Sequence, residues 1–215
     1  MITKKMKVQE AVKEKPYIVE FLSDNNIDFC CGGWQVLEDA IEKQGLNVDE
    51  FINEINDLQV KHEAKDWRQA LSLDKEDLID YIVLNHHRKE ESLLEEVERL
   101  LIKILYVHYE NHGEALSEIY KTFLSLKQDL MPHFADEEKI VFPKALDNDK
   151  TDWSKLRDDH EQVGELLKKL QLMTKDFTPP EDACPTYKLA FKKLHELVDD
   201  IHLHVFLENS VLFEK

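Results

Sequence analysis

Apolar residues recur at helical spacing along this chain and divide it into two parts. Residues 1–62 show several short amphipathic patterns, in which the apolar positions share one helical face. These positions are Val8, Ala11 and Val12 in the first pattern, Ile18, Val19 and Leu22 after Pro16 in the second, and Phe51, Ile52 and Ile55 in the last. A further helix over about 34–44 stops at Gly45. A small helical N-terminal domain is predicted.

Residues 74–215 form the second part and contain four longer helical patterns. They run over about 74–105, 113–146, 151–175 and 185–215. Because the connections are short, neighbouring helices are expected to be antiparallel, which gives an up-down-up-down four-helix bundle. Pro132 lies inside the second pattern and is expected either to kink that helix or to end it. The polar stretch 60–66 indicates a linker between the two domains.

Composition supports an all-α class and narrows the function. Only 5 Gly and 6 Pro in 215 residues leave little room for a turn-rich β architecture. The formal net charge of -17 repels phosphate backbones and anionic lipids, so nucleic acid and membrane surfaces are not expected partners. The same charge favours the approach of metal cations.

Nothing in the sequence predicts export or a membrane anchor. No apolar run approaches the roughly 20 residues that span a bilayer, and the basic N-terminus leads into Val8-Gln9-Glu10, not into an apolar signal segment. Three cysteines, two of them adjacent, do not make a disulfide framework. A cytoplasmic protein is therefore expected, and the sequence leaves open a homodimer.

The two halves of the predicted bundle repeat the same pattern of histidine and glutamate. The second and fourth helices each contain His-x3-Glu, followed at the same offset by two aliphatic residues and a Phe. The first and third helices each contain a His that is followed six and seven residues later by a pair of leucines. The repeated residues are His87, His133, Glu137, His160, His204 and Glu208.

This repeat predicts a metal centre. Residues at i and i+4 lie on one face of a helix, so each His-x3-Glu pair can point into the bundle. Four imidazoles and two carboxylates can bind two transition metals, with both glutamates bridging and two histidines on each ion. Iron prefers about six ligands, which leaves positions for an oxo or hydroxo bridge and a small ligand such as nitric oxide or dioxygen. The expected cofactor is two non-haem iron ions.

A single His-x3-Glu pair would be weak evidence, since the chain has 10 His and 45 acidic residues. Three further copies are predicted to be solvated helix faces: His86-x3-Glu90, His87-x3-Glu91 and His62-x3-Asp66. Of the adjacent residues His86 and His87, only His87 occupies the same position in the repeat as His160, and it is therefore the predicted ligand. The other histidines are expected at the surface or behind the ligands, namely His62, His86, His108, His112, His195 and His202.

The adjacent cysteines Cys30 and Cys31 precede Gly32-Gly33 and a predicted helix. Amides at a helix N-terminus would lower a thiol pKa and favour the thiolate, which predicts thiol redox exchange or transfer of iron or nitric oxide. The alternative is two small hydrophobic side chains in a tight turn. Cys184, in a proline-rich loop, is expected to be inert.

The chain resembles the iron–sulfur cluster repair di-iron proteins, also called RIC, which are relatives of hemerythrin-like bundles. The resemblance covers nearly the whole chain and includes Asp28-Phe29-Cys30-Cys31-Gly32-Gly33, the six residues of the repeat, and Asn209. It implies an accessory domain joined to a di-iron bundle, and proteins with damaged iron–sulfur clusters as partners. Pro132 and the region 105–114 depart from the family pattern.

Four functions follow as hypotheses. The first is repair of clusters damaged by nitric oxide or oxidative stress, through redox-gated iron donation or handling of nitrosyl ligands. The second is an enzyme that reduces nitric oxide or dioxygen. The third is a hemerythrin-like gas or redox sensor, and the fourth is a structural bundle held by zinc.

Overall fold

The protein was analysed as a computed structural model, which describes residues 1–58, 67–147 and 153–215. The all-α prediction is confirmed: the described residues form helices, and their β structure is limited to the isolated bridge between Lys7 and Val36. The described chain divides into two compact units. Met1–Leu78 and Val205–Lys215 make the first unit, and Ile79–His204 make the second.

Short helices build the N-terminal part of the first unit. They are α1 (Val8–Glu14), a 3-10 turn (Pro16–Ile18), α2 (Val19–Asp24), α3 (Leu37–Lys43), α4 (Val48–Asp57) and a second 3-10 turn (Trp67–Ser72). Pro16 stands at the start of its turn, where its missing N–H costs nothing. Asn47 caps α4 by accepting a hydrogen bond from the Glu50 amide at 3.1 Å. The predicted helix over 34–44 begins later than expected, at Leu37.

The C-terminal segment of the chain completes the core of the first unit. Phe206 is fully buried and packs edge-on against Phe29 and Trp67, with ring centroids 6.1 and 6.0 Å away. Ser210 hydrogen-bonds Gln9 at 3.1 Å, and the Asn209 amide donates to the Cys30 carbonyl at 3.3 Å. Residues far apart in sequence therefore share this core.

The second unit contains the long helices of the predicted bundle. Along the chain the elements are α5 (Lys75–Ile82), a π turn (Val83–His87), α6 (Arg88–Val107), α7 (Tyr109–Asp136), a π turn (Glu137–Val141), α8 (Phe142–Leu146), α9 (Ser154–Met173) and α10 (Pro185–Leu207). The π turn that follows α10 (Glu208–Leu212) belongs to the first unit. The helix α6 packs on α7, and α7 packs on α9. A single residue, His108, separates α6 from α7, so the chain reverses there. The hemerythrin-like four-helix architecture is confirmed.

Pro132 lies inside helix α7. The helix continues through this proline to Asp136, so the alternative that the helix ends there is wrong. The predicted linker 60–66, together with His62 and Asp66, lies outside the described residues.

None of the described helices combines the length and apolar character that crossing a lipid bilayer would require.

Candidate metal centre

Each π turn in the described part of the chain carries one of the predicted metal ligands. His87 ends the turn that follows α5, Glu137 begins the turn that follows α7, and Glu208 begins the turn that follows α10. A π turn inserts one extra residue into an α-helix and rotates the side chains that come after it. Such turns occur frequently at functional sites, because they aim a side chain that a regular helix would place elsewhere.

Five of the six predicted ligands meet in the core of the second unit. The Nε2 atoms of His87 and His204 lie 3.1 Å apart, and those of His133 and His160 lie 3.2 Å apart. Glu137 lies between the two pairs: Oε2 is 3.4 Å from His87 Nε2, while Oε1 is 3.0 Å from His133 Nε2 and 3.6 Å from His160 Nε2. One carboxylate thus faces both imidazole pairs, with a different oxygen toward each.

The orientation of the first pair shows that a cation fits between its nitrogens. His87 Nδ1 lies 2.9 Å from Glu138 Oε1, and His204 Nδ1 lies 3.2 Å from both carboxylate oxygens of Glu90. Because a carboxylate accepts hydrogen bonds, each Nδ1 carries the hydrogen and each Nε2 presents a lone pair. Two lone pairs 3.1 Å apart repel each other unless they share a proton or a metal cation.

The distances also agree with metal coordination. Two ligand nitrogens about 2.1 Å from one ion, and roughly at a right angle to each other, are about 3 Å apart. The donor atoms of His87, Glu137 and His204 all lie within 4.8 Å of one another, as do those of His133, Glu137 and His160. The residues present therefore fit a pair of metal ions that share Glu137.

Glu137 is ionised despite its burial. Burial by itself would raise the pKa of this carboxyl, but the imidazoles of His133, His160 and His87, which face its oxygens, outweigh it and hold the pKa well below the usual range. A permanently ionised carboxylate in a fully buried position supplies the negative charge that a metal pair needs.

The sixth predicted ligand lies one turn beyond His204. Glu208 follows it by four residues along the chain and is fully buried. Its position relative to His204 repeats that of Glu137 relative to His133. Its role as a ligand stays a prediction.

Sequence reasoning missed the carboxylates that orient the ligands. The prediction that His86 and Glu90 form a solvated face is wrong, because both are buried, Glu90 against His204 and His86 against Asp200 at 3.2 Å. The available signal was the spacing from His87, since residues at i and i+3 share a helix face. Glu138, which touches His87, adjoins a predicted ligand in sequence but comes from a different helix.

The adjacent cysteines differ from the prediction. Helix α3 begins only at Leu37, so its N-terminal amides are not next to the thiols. Instead, Asp28 Oδ1 accepts a hydrogen bond from the Cys31 amide at 2.9 Å and lies 3.3 Å from Cys30 Sγ. A hydrogen bond with Cys31, burial and the Asp28 charge raise the pKa of the Cys30 thiol well above its ordinary value. The expected lowering of a thiol pKa is wrong for Cys30, and the function of the pair stays a prediction.

A cavity of about 480 Å³ opens beside His133, between α7 and α9. Its wall includes three carboxylates, from Asp129, Asp136 and Asp159, and two amines, from Lys144 and Lys155. The His133 side chain is 8% exposed, whereas His87 is fully buried. The two imidazole pairs therefore differ in their access to solvent.

Comparison with known proteins agrees with this geometry. Residues 78–215 match the family model of the hemerythrin HHE cation binding domain, and residues 4–59 match ScdA_N, described as a domain of unknown function (DUF542). The iron–sulfur cluster repair protein ScdA of Staphylococcus haemolyticus is 31% identical, over 100% of this chain and 99% of the relative. The iron–sulfur cluster repair protein YtfE of an Enterobacter species is 33% identical, over 88% of this chain and 86% of the relative.

The bundle match implies binding of non-haem iron, and the clustered His and Glu residues give a place for it. The chain belongs to the family of iron–sulfur cluster repair proteins, in which a hemerythrin HHE domain follows a DUF542 domain.

Proposed function

We propose that this protein repairs iron–sulfur clusters damaged by nitric oxide or oxidants, and that it does so by donating iron from a two-iron centre. The relatives named iron–sulfur cluster repair proteins support the repair function. The observation that supports the metal centre is the two pairs of facing Nε2 atoms, 3.1 Å apart in one pair and 3.2 Å apart in the other, on either side of Glu137. Proteins with damaged clusters are the proposed partners.

In this proposal His87 and His204 hold one iron, and His133 and His160 hold the other. Glu137 bridges the two ions, since its two oxygens face different imidazole pairs. Glu208 is proposed as the second bridge because it repeats the spacing of Glu137 within the duplicated pattern. Bound iron would supply the change of oxidation state that sets how tightly the centre holds its cargo.

The two halves are proposed to release iron at different rates. His87 and His204 are buried and each donates to a carboxylate, which raises imidazole basicity and strengthens metal binding. His133 borders the cavity, where the carboxylates of Asp129, Asp136 and Asp159 can attract a departing cation. The iron held by His133 and His160 is therefore the proposed cargo.

The metal centre is tested by iron content and optical spectrum. The protein purified in air is expected to hold about two irons per chain, with near-ultraviolet charge-transfer bands that disappear in the Glu137→Ala, Glu208→Ala double variant. Glu161→Ala, which removes an exposed carboxylate next to His160 in sequence, is the matched control and should keep both irons. Zinc in a colourless protein, or iron unaffected in the double variant, would refute the centre.

Repair is tested with an enzyme whose iron–sulfur cluster has been damaged by nitric oxide. The iron-loaded protein is expected to restore the activity of that enzyme, and labelled iron from the protein should appear in the repaired cluster. The double variant should fail, while Glu161→Ala should succeed. Repair without transfer of labelled iron would reject iron donation, and equal repair by the double variant would reject any role of the centre.

A second candidate is the reduction of nitric oxide or dioxygen, which the cavity beside His133 favours because it gives a small molecule a route to the centre. Steady turnover with a supplied electron donor would support this activity. A reaction that stops after one equivalent would leave repair as the better account.

A further inference from the structure

Four chemically reactive side chains lie together where α6 turns into α7 and where α10 begins. They are His108, His112, Asp182 and Cys184. Helix α6 separates this group from His87, and its 20 residues at about 1.5 Å each place the group roughly 30 Å along the helix from that ligand. The metal centre therefore does not account for these residues.

Cys184 occupies the position just before α10. Its carbonyl accepts the first hydrogen bond of that helix, from the Lys188 amide at 3.1 Å, so Cys184 is the N-cap. A thiolate at the N-terminus of a 23-residue helix is stabilised by the amides of the first helical turn and by the helix dipole.

His108 is the partner of this sulfur. Its Nε2 lies 3.2 Å from Cys184 Sγ, which is within reach for an imidazole N–H to donate to a thiolate. The ring of Tyr187 packs edge-on against His108, with centroids 5.3 Å apart and the planes at 87°, and this contact holds the imidazole in place. The hydrogen bond from His108 is the main reason why the pKa of Cys184 falls from 9.0 to about 7.

The charged groups around the pair do not oppose a thiolate. His112 Nε2 lies 2.9 and 3.0 Å from the two oxygens of Asp182, so the carboxylate nearest in sequence is hydrogen-bonded to an imidazole of its own. That hydrogen bond lowers the pKa of Asp182. Burial raises the pKa of Tyr187 to about 12, so its hydroxyl is neutral near pH 7. Cys184 itself is only half-buried, which leaves its sulfur accessible.

We propose that Cys184 and His108 form a reactive thiolate–imidazolium pair that is oxidised by small hydroperoxides. The sulfur attacks one peroxide oxygen, so that an S–O bond forms and the O–O bond breaks. The sulfur loses two electrons and becomes a sulfenic acid, and the leaving oxygen gains them as hydroxide from hydrogen peroxide or as alkoxide from an alkyl hydroperoxide. His108 gives its proton to that anion, which leaves as water or as an alcohol. Hydroperoxides have a poor leaving group, so their reaction with a thiolate is faster when an acid beside the sulfur can protonate that group. His108 is such an acid, and this is why hydroperoxides are favoured over electrophiles whose leaving group needs no proton.

Alkylation of the full-length protein by iodoacetamide, followed at Cys184 by peptide mass spectrometry, tests the pair. The rate is expected to rise with pH around a midpoint near 7. In His108→Gln the midpoint should move toward 9, and the rate at pH 7 should fall about tenfold. His195→Gln is the matched control, because it removes a half-exposed imidazole of α10 that lies roughly 15 Å along that helix from the sulfur. An unchanged midpoint in His108→Gln would overturn the pair.

Oxidation by hydrogen peroxide, with a sulfenic acid trap, tests the proton transfer. At pH 7 the trapped product at Cys184 should fall more in His108→Gln than alkylation does, since peroxide also needs the proton. Equal losses in the two reactions would overturn this role of His108. The wild-type protein stripped of iron by a chelator should oxidise Cys184 at the rate of the iron-loaded protein, and loss of oxidation on stripping would assign it to the metal centre instead.

Discussion

The carboxylate of Glu90 offers the sharpest test of how the protein tunes its metal affinity. Glu90 is fully buried and accepts from His204 Nδ1 with both oxygens at 3.2 Å. Replacing it by Gln keeps the size of the side chain and one accepting oxygen, but removes the negative charge. The change therefore tests the effect of the Glu90 charge on metal binding and leaves the proposed ligand His204 in place.

The magnitude follows from the geometry. The hydrogen bond, the imidazole ring and a metal–nitrogen bond together place the Glu90 charge about 7 Å from the ion. A ferrous ion and one coordinating carboxylate have a net charge of about +1, and at an effective dielectric constant of about 20 two unit charges at that distance attract by about 2.4 kcal/mol. This corresponds to between ten- and a hundredfold in affinity, which is the usual effect of losing such a partner behind a ligand.

Competition with a chromophoric ferrous chelator measures the change in affinity. Glu90→Gln is expected to bind the more tightly held iron ten- to a hundredfold more weakly than the wild type. Glu95→Gln, on the exposed face of the same helix, makes the same change of net charge and should have little effect. If the two variants lose affinity equally, the effect is one of overall charge and the orienting role of Glu90 is wrong.

Three further outcomes are expected. Removal of iron from the wild type by excess chelator should be biphasic, with the His133–His160 iron leaving first, and a single phase would contradict the proposed difference between the halves. Burial opposes ionisation of Asp200, but His86 and Lys89 outweigh this effect and lower the pKa of Asp200 below 3.8. The ionised carboxylate therefore stabilises the folded state above pH 3.8, and this stabilisation is lost as the pH falls through the folded-state pKa. Asp200→Asn should therefore lower the free energy of unfolding by about 1–3 kcal/mol at pH 7, with the difference from the wild type shrinking in acid, as urea titrations can show. Gly33→Ala should cost about 1–3 kcal/mol, because its Cβ would come within 2.9 Å of the Phe29 carbonyl, while Lys43→Ala, on an exposed helix face, should leave the thermal midpoint unchanged.

The sequence predicts the helices and the clustering of the candidate ligand histidines because both depend on periodic spacing. His87 and His160 are each followed six and seven residues later by two leucines, and this shared register distinguishes His87 from His86. The structure gathers His87, His133, His160 and His204 around Glu137. A repeat of this kind reports which residues share a face, and helix packing then brings the faces together.

Features that depend on one extra residue or on a distant partner were not predictable. The π turns leave no signature in composition, yet they set the direction of His87 and Glu137. Glu90 and Glu91 are identical in type and adjacent, but only Glu90 points at His204. The thiols show the same limit. Cys30 lacks the helix N-terminus that was predicted for it. Cys184 precedes Pro185, and since proline is common at the first position of a helix, the sequence could have predicted a helix N-terminus at Cys184.

The position of the last eleven residues affects how this protein can be recombined. Val205–Lys215 falls within the hemerythrin match by sequence but packs in the first unit, where Phe206 fills the space beside Phe29 and Trp67. A fragment that stops at residue 59 would therefore lose part of its hydrophobic core. The N-terminal segment therefore cannot be exchanged by itself between relatives. A chimera with a relative should fold only if the N-terminal and C-terminal segments come from the same parent protein.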